Sequence, residues 1–181
     1  RKIVNYMRCQ SGYFAPDSSF PNEPLNGGKA HFHAHTMGLL GMLDCALAQN
    51  DSELKAYVKK GFEWAKSNPA SCSLTGFFPE WIDPAYGTCE SCEVADMVAL
   101  GVKLSEAGLG DYWDDVDRWT RNQFFENQLT RTDWVEACVK SKPAPGPDPN
   151  ATTDRVPERN VGAFAGTSTP NDWWCGTNGV T

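Results

Sequence analysis

The sequence predicts an all-α protein built of helical hairpins that are joined by long loops. Apolar residues recur every three or four positions from Ala34 to Gln49, which is the helical period. Two pairs of helices are predicted in this way, at residues 33–68 and 90–130, and no alternating β pattern lies between them. A hairpin repeated along a chain is typical of solenoids and toroids, where each unit buries its apolar face against its neighbours.

The first hairpin, residues 33–68, has clear boundary signals. Asn50-Asp51-Ser52 predicts a turn followed by a helix N-cap, because short polar side chains accept the unpaired N–H groups of a first helical turn. The second helix is predicted to stop at Asn68-Pro69, since the residue before a proline avoids the α conformation.

The second hairpin, residues 90–130, is predicted to break at Gly108-Leu109-Gly110. Asp111 should then cap a helix that runs to about Thr130. Residues 9–32 and 141–181 are rich in Gly, Pro and polar residues, so both segments are predicted to be loops.

Composition limits the choice of partner. The formal net charge of -7 argues against nucleic acid, because binders of phosphate backbones need clustered Lys and Arg. No apolar run approaches the roughly 20 residues of a membrane-spanning helix, so no membrane is expected. Aromatic residues in loops, such as Phe77 and Trp81, suit stacking on a carbohydrate, although core packing is the commoner fate of each one.

All three histidines lie in one stretch, His31, His33 and His35. Alternating imidazoles would share one face of an extended segment, where they can bind metal, transfer protons or donate to sugar hydroxyls. The helical spacings typical of zinc sites are absent, so packing or a hydrogen bond to a ligand is favoured over an all-histidine metal site.

Cys89-Glu90-Ser91-Cys92 carries two overlapping motifs at the predicted start of a helix. As C-x-x-C it lacks the βαβ context of a redox pair and the second C-x-x-C of a zinc knuckle. As E-x-C, Glu90 and Cys92 offer one oxygen and one thiolate to a metal, at a helix end that favours anions. From the residues alone, buried structural cysteine is the favoured interpretation.

The chain has seven cysteines, an odd number, so at least one has no disulfide partner within it.

The loop between the hairpins places two carboxylates, Glu80 and Asp83, beside Trp81. Cleavage of a glycosidic bond commonly uses a carboxylic acid held against an apolar wall, so that it can protonate the leaving oxygen. Glu80 fits that description, whereas most single glutamates in loops are simply exposed to solvent.

Residues 33–44, the Asn50-Asp51 turn and Glu90-Ser91-Cys92 at a helix start together resemble the β-L-arabinofuranosidase-type glycoside hydrolases of family 127. The resemblance implies an (α/α)6 toroid, or barrel, and a retaining mechanism with a zinc-bound cysteine nucleophile. It also implies that Glu90 and Cys92 are zinc ligands. Two further, consecutive cysteine ligands are expected after Thr181, so the chain is expected to be a fragment of a single catalytic domain that is incomplete by itself.

The same resemblance implies roles for residues outside the E-x-C motif. Glu80 corresponds to the acid/base glutamate, and His35 corresponds, within an offset of one residue, to a substrate-binding histidine; His33 is also expected to bind the substrate. Trp81 and Asp83 are expected to contact the sugar from the same loop. The predicted function is therefore removal of terminal furanose-type sugars, with zinc as the cofactor and a carbohydrate as the substrate.

Two other classes of function stay open at this point. One is a non-catalytic helical toroid that binds glycan or protein and uses its cysteines for structure. The other is a toroid-fold polysaccharide lyase or epimerase that uses His33 or His35 as the base.

Overall fold

The structure is a computed structural model that describes residues 2–21, 30–83, 85, 87–135, 155–169, 172–173 and 177–178. The helices are α1 Lys2–Cys9, α2 Phe32–Gln49, α3 Ser52–Ser67, α4 Ser91–Glu106, α5 Trp113–Trp119, a π-helical segment Thr120–Phe124, and α6 Val156–Arg159. The strands are β1 Cys89–Glu90, β2 Phe164–Ala165, β3 Thr167–Thr169, β4 Asp172–Trp173 and β5 Thr177–Asn178. The described chain is thus mostly helical, which confirms the predicted class in its coarse form, while closure into a toroid stays a prediction.

The first predicted hairpin is present as α2 and α3. Asn50 takes the left-handed conformation with φ 51°, and the Asp51 carboxylate accepts the Leu54 N–H at 3.0 Å. The chain leaves α3 at Asn68, which is extended before Pro69. These local signals act as the sequence predicts.

The second hairpin is α4 followed by α5, with Gly108 at the break in the left-handed region at φ 67°. Two predicted boundaries are wrong. The N-cap is Tyr112 rather than Asp111, because α5 begins at Trp113. The helical backbone also ends short of Thr130, since Gln128 forms a β-bridge with Phe164.

The core lies between α2 and its neighbours α3 and α4, and α4 also packs on α5. Large side chains with almost no exposed surface fill it, namely Phe32, Leu39, Met42, Leu43, Phe62, Phe78, Met97, Leu100, Leu104 and Trp119. The Trp119 indole N–H donates to the Ser73 carbonyl at 2.7 Å, so this aromatic residue also satisfies a loop carbonyl.

The prediction that 141–181 is only a loop needs correction, although residues 136–154 lie outside the described part of the chain. Antiparallel pairing joins β1, β3 and β4 in that order, and β2 pairs with β5. The Ser91 hydroxyl donates to the Ala165 carbonyl at 2.6 Å and accepts from the Asn127 amide at 3.1 Å. The C-terminal segment therefore docks beside the start of α4.

Helix α1 was not predicted, because its segment was too short to display a helical period. The loop after it returns to the core through Phe14 and Phe20, which are buried. In the described residues, no helix combines the length and the apolar character needed to cross a membrane.

Candidate functional site

Three segments that are distant in sequence meet at one place. They are the residue before α2, the loop that contains Glu80, and β1 with the start of α4. The Phe32 N–H donates to the Glu80 carbonyl at 2.9 Å, and the Glu80 N–H donates to the Thr88 carbonyl at 3.1 Å. Backbone hydrogen bonds therefore fix the positions of His31, Glu80 and Glu90 independently of any ligand.

The side chains of His31, Glu80 and Glu90 converge. One potential ligand atom from each lies within 4.8 Å of the other two, and all three residues are half-buried. The Thr88 hydroxyl donates to Glu80 Oε2 at 3.4 Å. The Trp81 ring lies 4.8 Å from the His31 ring, so an aromatic wall stands beside the carboxylates.

A second group shares Glu90 with the first. Potential ligand atoms of Glu90, Cys92 and Glu93 lie within 4.8 Å of one another. The Cys92 thiol donates to Glu90 Oε2 at 3.4 Å, and the Glu90 N–H donates to Glu93 Oε2 at 2.6 Å. The two residues predicted as metal ligands, Glu90 and Cys92, are thus neighbours in space.

Burial dominates the electrostatics of this second group. It raises the pKa of the Cys92 thiol well above its usual range, and the carboxylates of Glu93 and Glu90 raise it further. Burial likewise raises the pKa of Glu93, with the Glu90 carboxylate as the next cause. Negative charge is therefore disfavoured here unless a cation offsets it.

The donor atoms fit a divalent metal of the zinc type. A thiolate with carboxylate oxygens is an acceptable zinc ligand set, and two ligands of a tetrahedral zinc lie about 3.5 Å apart when the bonds are about 2.0–2.3 Å. The distance of 3.4 Å between Cys92 Sγ and Glu90 Oε2 agrees with that spacing.

His33 faces α4 rather than the acidic group. Its Nδ1 lies 2.8 Å from Asp96 Oδ2, and the Thr36 hydroxyl donates to the same oxygen at 2.6 Å. The hydrogen bond to Asp96 raises the pKa of His33, with burial opposing it. His33 keeps 28 % of its side chain exposed, so it stays accessible to a ligand.

His35 does not occupy the place that the sequence suggested for a substrate-binding residue. Its imidazole is fully buried between Tyr13 and Phe20, and its two nitrogens lie 2.7 Å and 2.9 Å from the carbonyls of His31 and Tyr13. The segment is helical rather than extended, so residues two apart point in nearly opposite directions. His35 therefore anchors the N-terminal loop to α2.

The other two predicted sugar contacts have different surroundings. Trp81 is partly exposed, and its ring lies 4.8 Å from the His31 ring at an angle of 50°. An Asp83 carboxylate oxygen accepts the Ala85 N–H at 2.9 Å, which stabilises a turn, and Asp83 belongs to neither group of possible ligands. Contact with a substrate stays a prediction for both residues.

Cys89 and Cys92 are not joined by a disulfide. Cys89 is fully buried, and burial raises the pKa of its thiol well above the ordinary value. Reactive redox cysteines have a lowered pKa, so the structure gives no support to the redox interpretation of the C-x-x-C motif.

Three residues of the site were not assigned a role from the sequence. His31 was overlooked in favour of the other histidines, and Glu93 and Asp96 carried no motif of their own. Spacing offered a weak signal for the acids, because positions 92, 93 and 96 lie along one side of a helix.

One surface cavity of about 410 Å³ is lined by side chains between Phe125 and Trp134. None of the predicted site residues lines it, and it lacks a histidine or cysteine, so the convergence of acids around Glu90 is the better candidate for chemistry.

Comparison of the chain with protein-family models found no match, and comparisons with curated proteins and with solved structures found none either. Membership of a family therefore stays a prediction that rests on the motifs in the sequence.

Proposed function

We propose that the protein is a glycoside hydrolase that acts on terminal furanose-type sugars, such as β-L-arabinofuranosides, by a retaining mechanism with a zinc-bound cysteine nucleophile. In this proposal Glu80 is the acid/base, Glu90 and Cys92 hold the metal, and the nucleophile follows Thr181. One observation carries the proposal: Glu80 lies in the loop between the hairpins and Glu90 and Cys92 lie in the E-x-C motif, yet Glu90 is close to both of the others.

The proposed proton donor lies beside a proposed metal ligand. Oxygens of Glu80 and Glu90 approach within 4.8 Å. Retention in this proposal follows from the covalent intermediate on the cysteine nucleophile, and the short distance between Glu80 and Glu90 supports a position of the acid next to the metal centre where that nucleophile would act.

Each residue of the chain has a definite task in this scheme. Glu80 delivers a proton to the departing sugar oxygen, and its backbone hydrogen bonds with Phe32 and Thr88 hold the segment that carries its side chain. Bound zinc supplies a positive charge that lowers the pKa of a cysteine thiol at neutral pH. The partly exposed ring of Trp81, beside His31, offers an apolar surface on which a neutral sugar ring can lie.

The histidine-base alternative receives less support. His35 is buried against two carbonyls and cannot reach a substrate as it stands. His33 has a raised pKa because of Asp96, which favours the protonated form over the neutral form that a base requires. His33, when it is paired with Asp96, is better suited to donating a hydrogen bond to a ligand.

The test is hydrolysis of a panel of nitrophenyl furanosides and pyranosides by the zinc-loaded protein that carries the proposed nucleophile after Thr181. We expect release of nitrophenol from a furanoside, and a loss of about 10²–10⁴ in kcat/KM in Glu80→Gln, the range typical of general acid–base catalysis. Glu106→Gln is the matched control, because Glu106 lies exposed at the far end of α4. Binding of the sugars without hydrolysis would favour the non-catalytic alternative, and equal rates for Glu80→Gln and wild type would remove Glu80 from the mechanism.

A further inference from the structure

We propose that Glu93 is a third ligand of the candidate metal centre, so that Glu90, Cys92 and Glu93 of this chain bind one divalent cation of the zinc type together. The inference rests on the metal centre of the proposed function, but it requires no hydrolase activity and no residue after Thr181. Neither the motif nor the family resemblance assigns a role to Glu93.

The geometry brings all three donors to one point. Ligand atoms of Glu90, Cys92 and Glu93 lie within 4.8 Å of one another. All three side chains start from the β1–α4 junction, where β1 ends at Glu90 and α4 begins at Ser91. Donors that are this close on a rigid junction need only small rotations to coordinate a single ion.

A buried oxygen without a partner is the independent observation that points to a ligand. Glu93 is fully buried, and its Oε1 meets no hydrogen-bond donor in the part of the chain that the structure describes. Leaving a buried polar atom unpaired costs about 1–3 kcal/mol. A bound cation would satisfy this oxygen.

Helix capping accounts for only half of this carboxylate. Glu93 and Glu90 form a capping box, in which Glu93 Oε2 accepts the Glu90 N–H. Capping uses one oxygen, and it leaves Oε1 without a hydrogen-bond donor in the described part of the chain. A solvated cap would be the ordinary arrangement for a glutamate, whereas here the whole side chain is buried.

The acidic groups at the β1–α4 junction also favour binding of a cation. Among the described residues, no Lys or Arg forms an ion pair with Glu90 or Glu93. Two carboxylates and a thiol are therefore gathered in a mostly buried space where no described Lys or Arg is paired with either carboxylate. A divalent ion would bind there in exchange for the protons of these groups and would supply the positive charge that they lack.

The neighbouring group of His31, Glu80 and Glu90 is the competing position for an ion, since it shares Glu90. Two observations favour the Cys92 side. Glu80 Oε2 already accepts a hydrogen bond from the Thr88 hydroxyl. The Cys92 side also provides a sulfur ligand, which binds zinc better than it binds harder cations such as magnesium or calcium.

The experiment measures zinc affinity by competition with a chromophoric chelator after the protein has been stripped with EDTA. We expect Glu93→Gln to bind zinc more than about tenfold more weakly than wild type, since changes to groups that only support a ligand already cost about 10–100-fold. The variant keeps an oxygen that can accept the Glu90 N–H, so the cap should survive. Glu106→Gln removes the same charge from the exposed end of α4 and should bind as wild type does.

Variants at neighbouring positions separate the possible outcomes. Cys92→Ala should lose zinc, and His31→Ala should retain it. If Glu93→Gln binds as tightly as wild type while Cys92→Ala does not, the role of Glu93 is overturned and the proposed centre stands. If His31→Ala loses zinc and Glu93→Gln keeps it, the ion belongs to the competing position and the inference is wrong. If wild type binds no zinc, both the inference and the metal centre fail.

Cobalt substitution gives a second readout that does not depend on affinity or activity. Wild type loaded with Co²⁺ should show a thiolate-to-cobalt charge-transfer band from Cys92, together with ligand-field bands that report the coordination sphere. In Glu93→Asp, which shortens the reach by one methylene, the charge-transfer band should persist and the ligand-field bands should change. An unchanged spectrum would overturn the inference even if Glu93→Gln failed to fold.

Discussion

Asp96 accepts hydrogen bonds from two residues of α2, His33 and Thr36, through a single carboxylate oxygen. The hydrogen bond to Asp96 is the largest cause of the raised pKa of His33. A histidine whose pKa is raised by folding stabilises the folded state fully below its ordinary pKa of about 6.5. That stabilisation is lost as the pH rises through the raised value.

Asp96→Asn should therefore lower the pKa of His33, as measured by NMR titration of its imidazole. The loss of stability relative to wild type, measured by urea unfolding, should be larger at about pH 5.5 than at about pH 8.5. Asp44→Asn is the control, because it also removes one carboxylate from an ion pair between α2 and α4, the exposed pair with Lys103, and it leaves the contacts of His33 unchanged. A pH-independent difference for Asp96→Asn would contradict the account of this pair.

At the residue scale, the sequence identified which side chains could take part in chemistry better than it identified the directions in which those side chains point. Glu80, Glu90 and Cys92 were selected from their motifs, and they are neighbours in the fold. His33 and His35 looked equivalent in the sequence, yet the helix turns one toward Asp96 and the other into the core. Glu93 could not be selected, because its special property is an unpaired oxygen that only a folded structure reveals.

Close packing between α2 and α3 depends on Gly61. A Cβ atom at this position would lie 2.5 Å from Ser18 Oγ and 2.9 Å from Leu39 Cδ2. Real contacts are not so short, so neighbouring groups would have to move.

Gly61→Ala should destabilise the protein by about 1–3 kcal/mol, the usual cost of overpacking a core. Gly41→Ala is the matched control in α2, where a Cβ would meet nothing within 4 Å. Alanine there should raise stability by about 0.5–1 kcal/mol through helix propensity. Urea unfolding measures both changes, and a neutral or stabilising Gly61→Ala would contradict the packing described for this pair of helices.

At the element scale, boundaries set by local chemistry were predictable and those set by distant contacts were not. The Asp51 cap and the end of α3 at Asn68 follow from side chains and a proline in the immediate neighbourhood. The short strands escaped detection because each has only two or three residues, and β1 pairs with β3 from the far end of the chain. No local pattern encodes such a pairing.

For the whole molecule, the important feature is how many separate segments support the junction between β1 and α4. The loop before it is paired to the start of α2, and β3 pairs with Cys89 and Glu90 from the other side. The hydroxyl of Ser91, between the two predicted ligands, is tied to Ala165 and Asn127. A binding site supported in this way is preorganised, which lowers the entropic cost of holding an ion or a substrate.

The described residues contain two pairs of consecutive helices, α2 with α3 and α4 with α5. The sequence predicted a mainly helical chain from its period, and that class is confirmed, while closure into a toroid stays a prediction. Where neighbouring units would pack is not encoded in the hairpins themselves.

Zinc K-edge X-ray absorption of the zinc-loaded protein, compared with Cys92→Ala, tests the central claim most directly. The account predicts a zinc ion with a sulfur neighbour at about 2.3 Å and oxygen neighbours at about 2.0–2.2 Å in wild type. The variant should lose one sulfur neighbour or fail to retain the metal. A wild-type protein that holds no zinc, or a sulfur shell that is identical in Cys92→Ala, would contradict the claim that Glu90 and Cys92 form a metal centre.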